Sequence, residues 1–387
     1  MEFPEELELY IHIPFCEKKC NYCDFLSFSG IGEEEQDRYC GALTEEIQRT
    51  GAYLYQKKPE CDFKIRSIFV GGGTPSILKE GSIEHILTSL KEVFPITAET
   101  EITMEANPGT LTGDKLEEYR KAGINRLSIG LQSAENKSLA LLGRIHTWEV
   151  FLKNYELARK KGFSNINIDL MSSLPGQTLK EYERTLSLVT ELSPEHISSY
   201  SLILEEGTVF YQSKDIRKMI PDEETDRQMY QMTKDILREN GYHRYEISNY
   251  ARPGKECIHN LGYWSGVDYL GFGLGASSYF GNTRFSGERD LKKYIEVSWV
   301  PFSERKDYTV LTEKDQMEEF MFLGLRKMEG ISYSEFFSNF GVPLEKIYGP
   351  VIRKYEEMNL LESEGDRLFL TDAGIDVSDY IFCDFML

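Results

Sequence analysis

Three cysteines, Cys16, Cys20 and Cys23, stand close together in the stretch YIHIPFCEKKCNYCDF. Cys-x3-Cys-x2-Cys on a tight loop lets three thiolates converge on one soft centre, and sulfur ligands favour zinc, copper(I) or an iron-sulfur cluster. Structural zinc wants four closed ligands, so it would need the distant Cys40 or His12 as its fourth. Three thiolates instead suit a cubane cluster with one iron left open to chelate a small molecule. The chain has 7 cysteines in all. Cys40, Cys61, Cys257 and Cys383 are isolated, and a lone thiol in a reducing compartment is ordinarily a small buried hydrophobe. An odd number of cysteines spread over a long chain argues against a disulfide framework.

Other candidates are weaker one by one. GGGTPS, Gly71 to Ser76, ends an apolar run, and its glycines allow close backbone approach and exposed N–H groups able to hold an aminocarboxylate. It is not a phosphate loop, because Gly-x4-Gly-Lys-Ser/Thr is absent. Glu105, Gln132, Arg144 and Asp169 would each, alone, pass for surface or helix-capping residues. GFGLGA, Gly271 to Ala276, matches Gly-x-Gly-x-x-Ala, but SSYFGNTRF follows, not the helix whose terminus would hold a pyrophosphate. HNLGYW, His259 to Trp264, combines an imidazole with flat aromatic faces. Neutral imidazole is a good axial ligand to haem iron, whereas a lone histidine among aromatics is ordinarily a hydrogen-bonded core residue.

These residues need elements to position them. Short β-branched and apolar runs recur at 7–13, 65–70, 101–106, 126–131, 165–171 and 196–202, with helical patterns between them at 82–93, 113–121, 148–161 and 179–192. Strand and helix in alternation imply a parallel sheet covered by helices, an α/β fold, and six units fit a partial (β/α)6 TIM-like barrel. The cysteine loop follows the first strand, GGGTPS the second, Glu105 ends the third, Gln132 follows the fourth, and Asp169 and Tyr200 lie late in the fifth and sixth. All then fall on the carboxyl-terminal rim, where the loops of a barrel build active sites. After about residue 240 the alternation stops in aromatic and glycine-rich sequence. Helical segments at 314–327, 333–339 and 345–358 and a hairpin around Gly365-Asp366 then predict a small winged-helix-like α+β domain. The expected division is 1–240, 241–305 and 306–387.

A chain of 387 residues with 44 basic and 64 acidic side chains has a net charge of −20, which repels phosphate backbones and anionic lipid and makes nucleic acid an unsuitable partner. No basic-then-apolar leader and no long uncharged apolar run stands out, so the expectation is a cytoplasmic protein that meets a membrane only through a partner.

The cysteine signature on a first βα loop resembles the radical S-adenosylmethionine (SAM) superfamily, in which a 4Fe-4S cluster donates one electron to SAM. YIHIPFC, GGGTPS, MEANPGT, SIGLQS, GRIH and IDLMSSLPGQT appear in the order found in the family of oxygen-independent coproporphyrinogen III oxidase and its relatives. The resemblance runs from about Tyr10 through the carboxyl-terminal domain. It implies that Cys16, Cys20 and Cys23 ligate the cluster and that Tyr10, Gly72, Gly73, Thr74, Glu105, Gln132, Arg144 and Asp169 line the SAM region, the acids reaching ribose hydroxyls and Arg144 and Gln132 meeting carboxylates. One departure matters. The oxidases carry a further cysteine two residues after the third, where this chain has Asp24-Phe25. HNLGYW instead resembles the His-Asn-x-x-Tyr-Trp motif of HemW-type haem chaperones, which implies haem held through His259, a haem-requiring recipient protein, membrane-associated in some settings, and a homodimer. The rival expectation is a radical-SAM enzyme acting on a tetrapyrrole, such as the oxidase itself, with the hard chemistry carried by the cofactor.

Overall fold

The strands that build this protein alternate apolar and polar side chains with the period of two that a strand imposes. In β1 (Glu6–Ile13) Leu7, Leu9, Ile11 and Ile13 lie in the main hydrophobic core, while Glu8, Tyr10 and His12 occupy the intervening positions. The same pattern recurs in β2 (Lys64–Gly72), β3 (Glu101–Ala106), β4 (Arg126–Gln132), β5 (Ile166–Ser172) and β6 (His196–Ser201). Ile68 and Val70, Ile102 and Met104, Leu127 and Ile129, and Ile166, Ile168 and Ile197 face the core. Ser67, Thr103, Arg126, Ser128, Asn167, His196 and Ser198 are buried on the other side.

The computed structural model describes residues 3–60 and 63–386; Cys61 lies outside them. Strands β1 to β6 pair in chain order, each parallel to the next. Helices α1 (Glu33–Lys57), α2 (Ser82–Val93), α3 (Gly113–Ala122), α4 (Trp148–Lys160), α5 (Leu179–Glu191) and α6 (Glu223–Glu239) punctuate the series. Threonine caps start several of them: Thr112, Thr147 and Thr178 accept from the backbone N–H of Lys115, Val150 and Glu181, each satisfying an otherwise orphaned donor. This is the α/β partial barrel expected from the sequence, with an inner face that is polar where a barrel without a site there would be filled by bulky branched side chains.

The sheet extends further than the sequence suggested. After helix α7 (Ile258–Trp264), strand β7 (Tyr269–Phe272) pairs parallel with the free side of β1, and antiparallel strands Ser277–Phe280, Thr283–Ser286 and Lys306–Val310 follow it outward. The GFGLGA segment thus leads into a strand, as its rejection as a dinucleotide loop requires. At the other edge Asn249–Ala251 runs antiparallel to β6.

A second core, including Met321, Phe336, Tyr348, Ile352, Leu368 and Phe385, holds the carboxyl-terminal unit together. Helices Glu313–Gly324, Tyr333–Phe340 and Leu344–Glu357 pack there with a sheet in which Arg367–Leu370 lies between Ile331–Ser332 and Leu361–Glu364. It docks on the barrel through polar contacts: Arg284 forks onto the Glu319 carboxylate at 2.7 and 2.8 Å, and Lys234 and Arg244 share Asp372 at 2.7 and 2.8 Å. Among the described residues no helix is long and apolar enough to cross a membrane.

Candidate active site

The cysteine loop leaves β1 at Pro14 and is fixed at several points. Phe15–Cys16 pairs in parallel with Phe28–Ser29, His12 Nε2 meets the Leu26 carbonyl at 2.9 Å, and Asn21 ties the loop to Leu141 and Leu142 by its side-chain and backbone N–H, both at 2.9 Å. Cys16, Cys20 and Cys23 are unbonded thiols of intermediate exposure. Burial pushes the Cys16 and Cys23 thiols up, opposed at Cys16 by the Thr74 hydroxyl and at Cys23 by the Phe25 backbone N–H. Arg144 Nη1 donates to Cys20 Sγ at 3.6 Å, and Thr74 Oγ1 to Cys16 Sγ at 3.6 Å.

The fourth ligands that zinc would need stand elsewhere. Cys40 is buried in α1 as part of the core, and His12 is held by Leu26 and by the Tyr10 hydroxyl at 3.0 Å. Among the described residues no three His, Cys, Asp or Glu side chains close to the span of a single ion. The donor set, three thiols each met by a hydrogen-bond donor, fits a cluster.

A cavity of about 460 Å³ opens beside the trio. Its lining includes Cys16, Cys20, Cys23, Gly72, Gly73, Thr74, Glu105, Gln132, Arg144 and Asp169, so residues spread from the first to the fifth strand of the sequence reading meet in one space. Gly72 adopts φ 113°, in the left-handed region, where its amide donates to Glu105 Oε2 at 3.0 Å. The Gly73 amide is taken by the Ile13 carbonyl at 2.8 Å. Burial, with the nearby Asp169 carboxylate, pushes the Glu105 carboxyl up to about 8. Asp169 is also raised by burial, although it accepts from Asn167 at 2.8 Å and Ser128 at 3.0 Å. Gln132 sits at φ 72°, where the pairing of β4 with β5 shifts register. Two neighbouring acids, one kept protonated near neutrality, give the cavity a donor as well as acceptors for a hydroxyl-rich ligand.

Sequence reasoning did not single out Asn107, Tyr22, Leu202 or Ile203, which also line the cavity. Asn107 was within reach: it follows Glu105 in the same MEANPGT segment.

Two expected site residues lie below the cavity. Tyr10 is one strand position pair short of the rim; its hydroxyl faces His12 Nδ1 and its ring lies 6.4 Å from that of Phe69. His259, on α7, is 2% exposed at the opposite end of the barrel interior. Its Nδ1 is 2.7 Å from Ser67 Oγ and 3.6 Å from Glu8 Oε2, and its ring stacks on Phe69 with centroids 5.1 Å apart. Its Nε2 has no hydrogen-bond partner. Burial holds the imidazole down at about 3 and pushes the Glu8 carboxyl up to about 9, so near neutrality the two meet uncharged and do not form an ion pair. Gly262 lies against this carboxyl: a Cβ there would come within 2.0 Å of Glu8 Oε1.

This floor sets a pH dependence. Glu8 is protonated in the folded chain up to about 9 but ionises near its ordinary 4.5 once unfolded. Its contribution is therefore complete below the lower value and is lost as pH rises toward the upper one, because the unfolded state binds fewer protons throughout that window. One such group gives a slope of at most about 1.4 kcal/mol per pH unit. Melting temperatures measured across this window should fall less steeply for Glu8→Gln than for the wild-type chain; parallel profiles would exclude Glu8 as the titrating group.

Comparison with known proteins agrees with this architecture. The Radical SAM superfamily model matches residues 10–189 and the HemN C-terminal domain model residues 311–377. The Escherichia coli coproporphyrinogen III oxidase HemN, a radical SAM enzyme, superposes with a TM-score of 0.85 over 99% of this chain and 90% of its own, at 24% identity, a likeness of fold. The heme chaperone HemW of Bacillus subtilis is 39% identical over 97% of this chain and 98% of its own, and that of Lactococcus lactis 37% identical over 98% and 97%. With such identity along almost the whole of both chains, a radical SAM barrel and a HemN-type carboxyl-terminal domain, this chain belongs to the HemW family.

Proposed function

We propose that this chain binds haem and passes it to haem-requiring proteins, that it carries a 4Fe-4S cluster on Cys16, Cys20 and Cys23, and that it binds SAM in the adjoining cavity. The haem reading is carried by the likeness to relatives named heme chaperones over nearly their full length. The cluster and SAM readings rest on the cavity, whose lining brings together three thiols, paired acids and a glycine turn. A bound cluster would supply one-electron chemistry and an open iron for the aminocarboxylate of SAM.

The chain's own residues have definite tasks in this reading. Gly72 lets the His12 ring pack against the loop, where a Cβ would come within 2.6 Å of it, and its N–H becomes available once Glu105 turns from it to a ribose hydroxyl. Asp169, held by Asn167 and Ser128, is a fixed acceptor in the same lining. Phe25, 60% exposed at the cavity mouth, stands where a further cysteine would be expected of the oxidases, which weighs against that chemistry.

The deciding experiment is stoichiometric haem titration followed by mixing with an apo-haem protein. Saturable binding and transfer of haem to the acceptor are expected. A chain that neither takes up nor gives up haem, and instead turns coproporphyrinogen into protoporphyrinogen with SAM and a reductant under anaerobic conditions, would establish the enzyme reading in its place.

A further inference from the structure

One side-chain hydrogen bond at Cys16 and one at Cys20 belong to a single chain, beside the contacts that Ser27 makes with Cys16 and Tyr22 with Cys20. Starting at Cys16, the Thr74 hydroxyl points at Sγ at 3.6 Å; Asn107 Nδ2 lies 2.7 Å from Thr74 Oγ1; Arg144 Nη2 lies 2.5 Å from Asn107 Oδ1; and Arg144 Nη1 returns to Cys20 Sγ at 3.6 Å. The path runs through the loops after β2 and β3 and the segment following β4 before it comes back to the cysteine loop.

Donor chemistry sets the direction of every link. Arginine cannot accept a hydrogen bond, so the amide of Asn107 must turn its oxygen to Arg144 and its nitrogen to Thr74. Thr74, having accepted from that nitrogen, keeps its single proton for Cys16. Thr74 is 3% exposed, so water does not readily substitute. Asn107 is itself anchored at its backbone, with its N–H on Ser76 Oγ at 3.3 Å and its carbonyl accepting from Thr110 at 2.7 Å. Arg144 has a further bond to the Gly130 carbonyl. Cys23 takes its hydrogen bond from within its own loop, at the Phe25 backbone.

We propose that Asn107 is a positioning residue for the cluster cysteines: it aims the Thr74 hydroxyl at Cys16 and the Arg144 guanidinium at Cys20, and through these two donors it sets the reduction potential of a cluster bound there. The inference rests on the cluster reading above. Hydrogen bonds donated to thiolate sulfurs stabilise the more negative, reduced cluster, so their loss lowers the potential. Arg144 is then engaged by the cysteine loop as well as facing the cavity, and the orientation of the two sulfurs depends on a residue that touches neither.

The test is the midpoint potential of the anaerobically reconstituted protein, titrated without SAM, in wild type, Asn107→Ala, Thr74→Val, the double variant and Thr74→Ser. Asn107→Ala and Thr74→Val should each lower the potential, the double variant should fall short of the sum of the two, and Thr74→Ser, which keeps the hydroxyl, should match wild type. An unchanged potential in Asn107→Ala, or strictly additive shifts, overturns the proposal. If Asn107→Ala does not fold, the Thr74→Val and Thr74→Ser pair decides alone, and equal potentials in the two overturn it. A wild-type chain that takes up no iron and sulfide fails before any variant is made, and that failure counts against the cluster reading itself.

Discussion

Replacing Cys20 with serine is expected to leave a folded, colourless protein that takes up little iron or sulfide under anaerobic conditions in which the wild-type chain turns brown. A serine hydroxyl stays protonated near neutrality and is a hard donor, a poor substitute for a thiolate on iron. The fold should hardly register the change. The Cys20 side chain is half-buried and belongs to no hydrophobic cluster, while the loop around it is kept in place by the Phe15–Cys16 pairing and the Asn21 tethers. A loss of about 1 kcal/mol or less is expected, as for other substitutions outside the core. Cys40→Ser is the matched control, because Cys40 is 6% exposed within the core under α1. It should keep the chromophore and lose about 1–3 kcal/mol for a buried hydroxyl. Iron and sulfide analysis with thermal melting reads both variants, and wild-type iron content in Cys20→Ser would contradict the cluster assignment.

Much of this architecture is legible in the sequence because the inner and outer faces of each barrel strand differ so plainly in polarity. Leu-Glu-Leu-Tyr-Ile-His-Ile in β1 already separates a face for the helices from a face for the site, and the polar residues that end β3 and β5 fall on the cavity as their strand positions demand. What the pattern does not give is depth. Tyr10 belongs to the right face but pairs with Phe69, two positions below the level where His12 meets Gly71, and so lies beneath the cavity. Helix α1 is the clearest omission. Its buried side chains at Tyr39, Cys40, Leu43, Ile47 and Leu54 have helical spacing, yet Gly32 at its start offers no capping side chain, and Gly41 and Gly51 interrupt it. Strand β7 was hidden differently. Tyr-Leu-Gly-Phe is short, holds one glycine and is followed by another, and its pairing with the unoccupied side of β1 and with the strand after it makes it a strand. Asn107 shows the same limit within the site, since its role comes from neighbours that other loops deliver.

His259→Ala should weaken haem binding by at least about tenfold, the scale on which a metal site responds to loss of ligand support, and should alter the Soret band. The geometry of the ring gives this expectation a specific form. With Nδ1 engaged by Ser67, the tautomer and orientation are fixed at one nitrogen and the other, Nε2, is left without a partner, as a coordinating imidazole requires. That nitrogen is nevertheless closed in by α7, by Phe69 and by Tyr263, whose ring stands edge-on 4.9 Å away. Were haem iron to be held there, α7 would have to lift from the barrel floor, which would uncover Glu8 and let that carboxyl ionise. Haem binding through His259 should therefore come with increased protease or hydrogen-exchange access across Ile258–Trp264. The cavity residues, at the other end of the strands, should keep their iron and sulfide content in His259→Ala. Truncating a buried ring also costs packing, about 1–3 kcal/mol, so His259→Gln, which retains a polar group against Ser67, separates the two effects. An equal loss of haem in both variants identifies the missing ligand; a wild-type Soret band in either removes His259 from the iron.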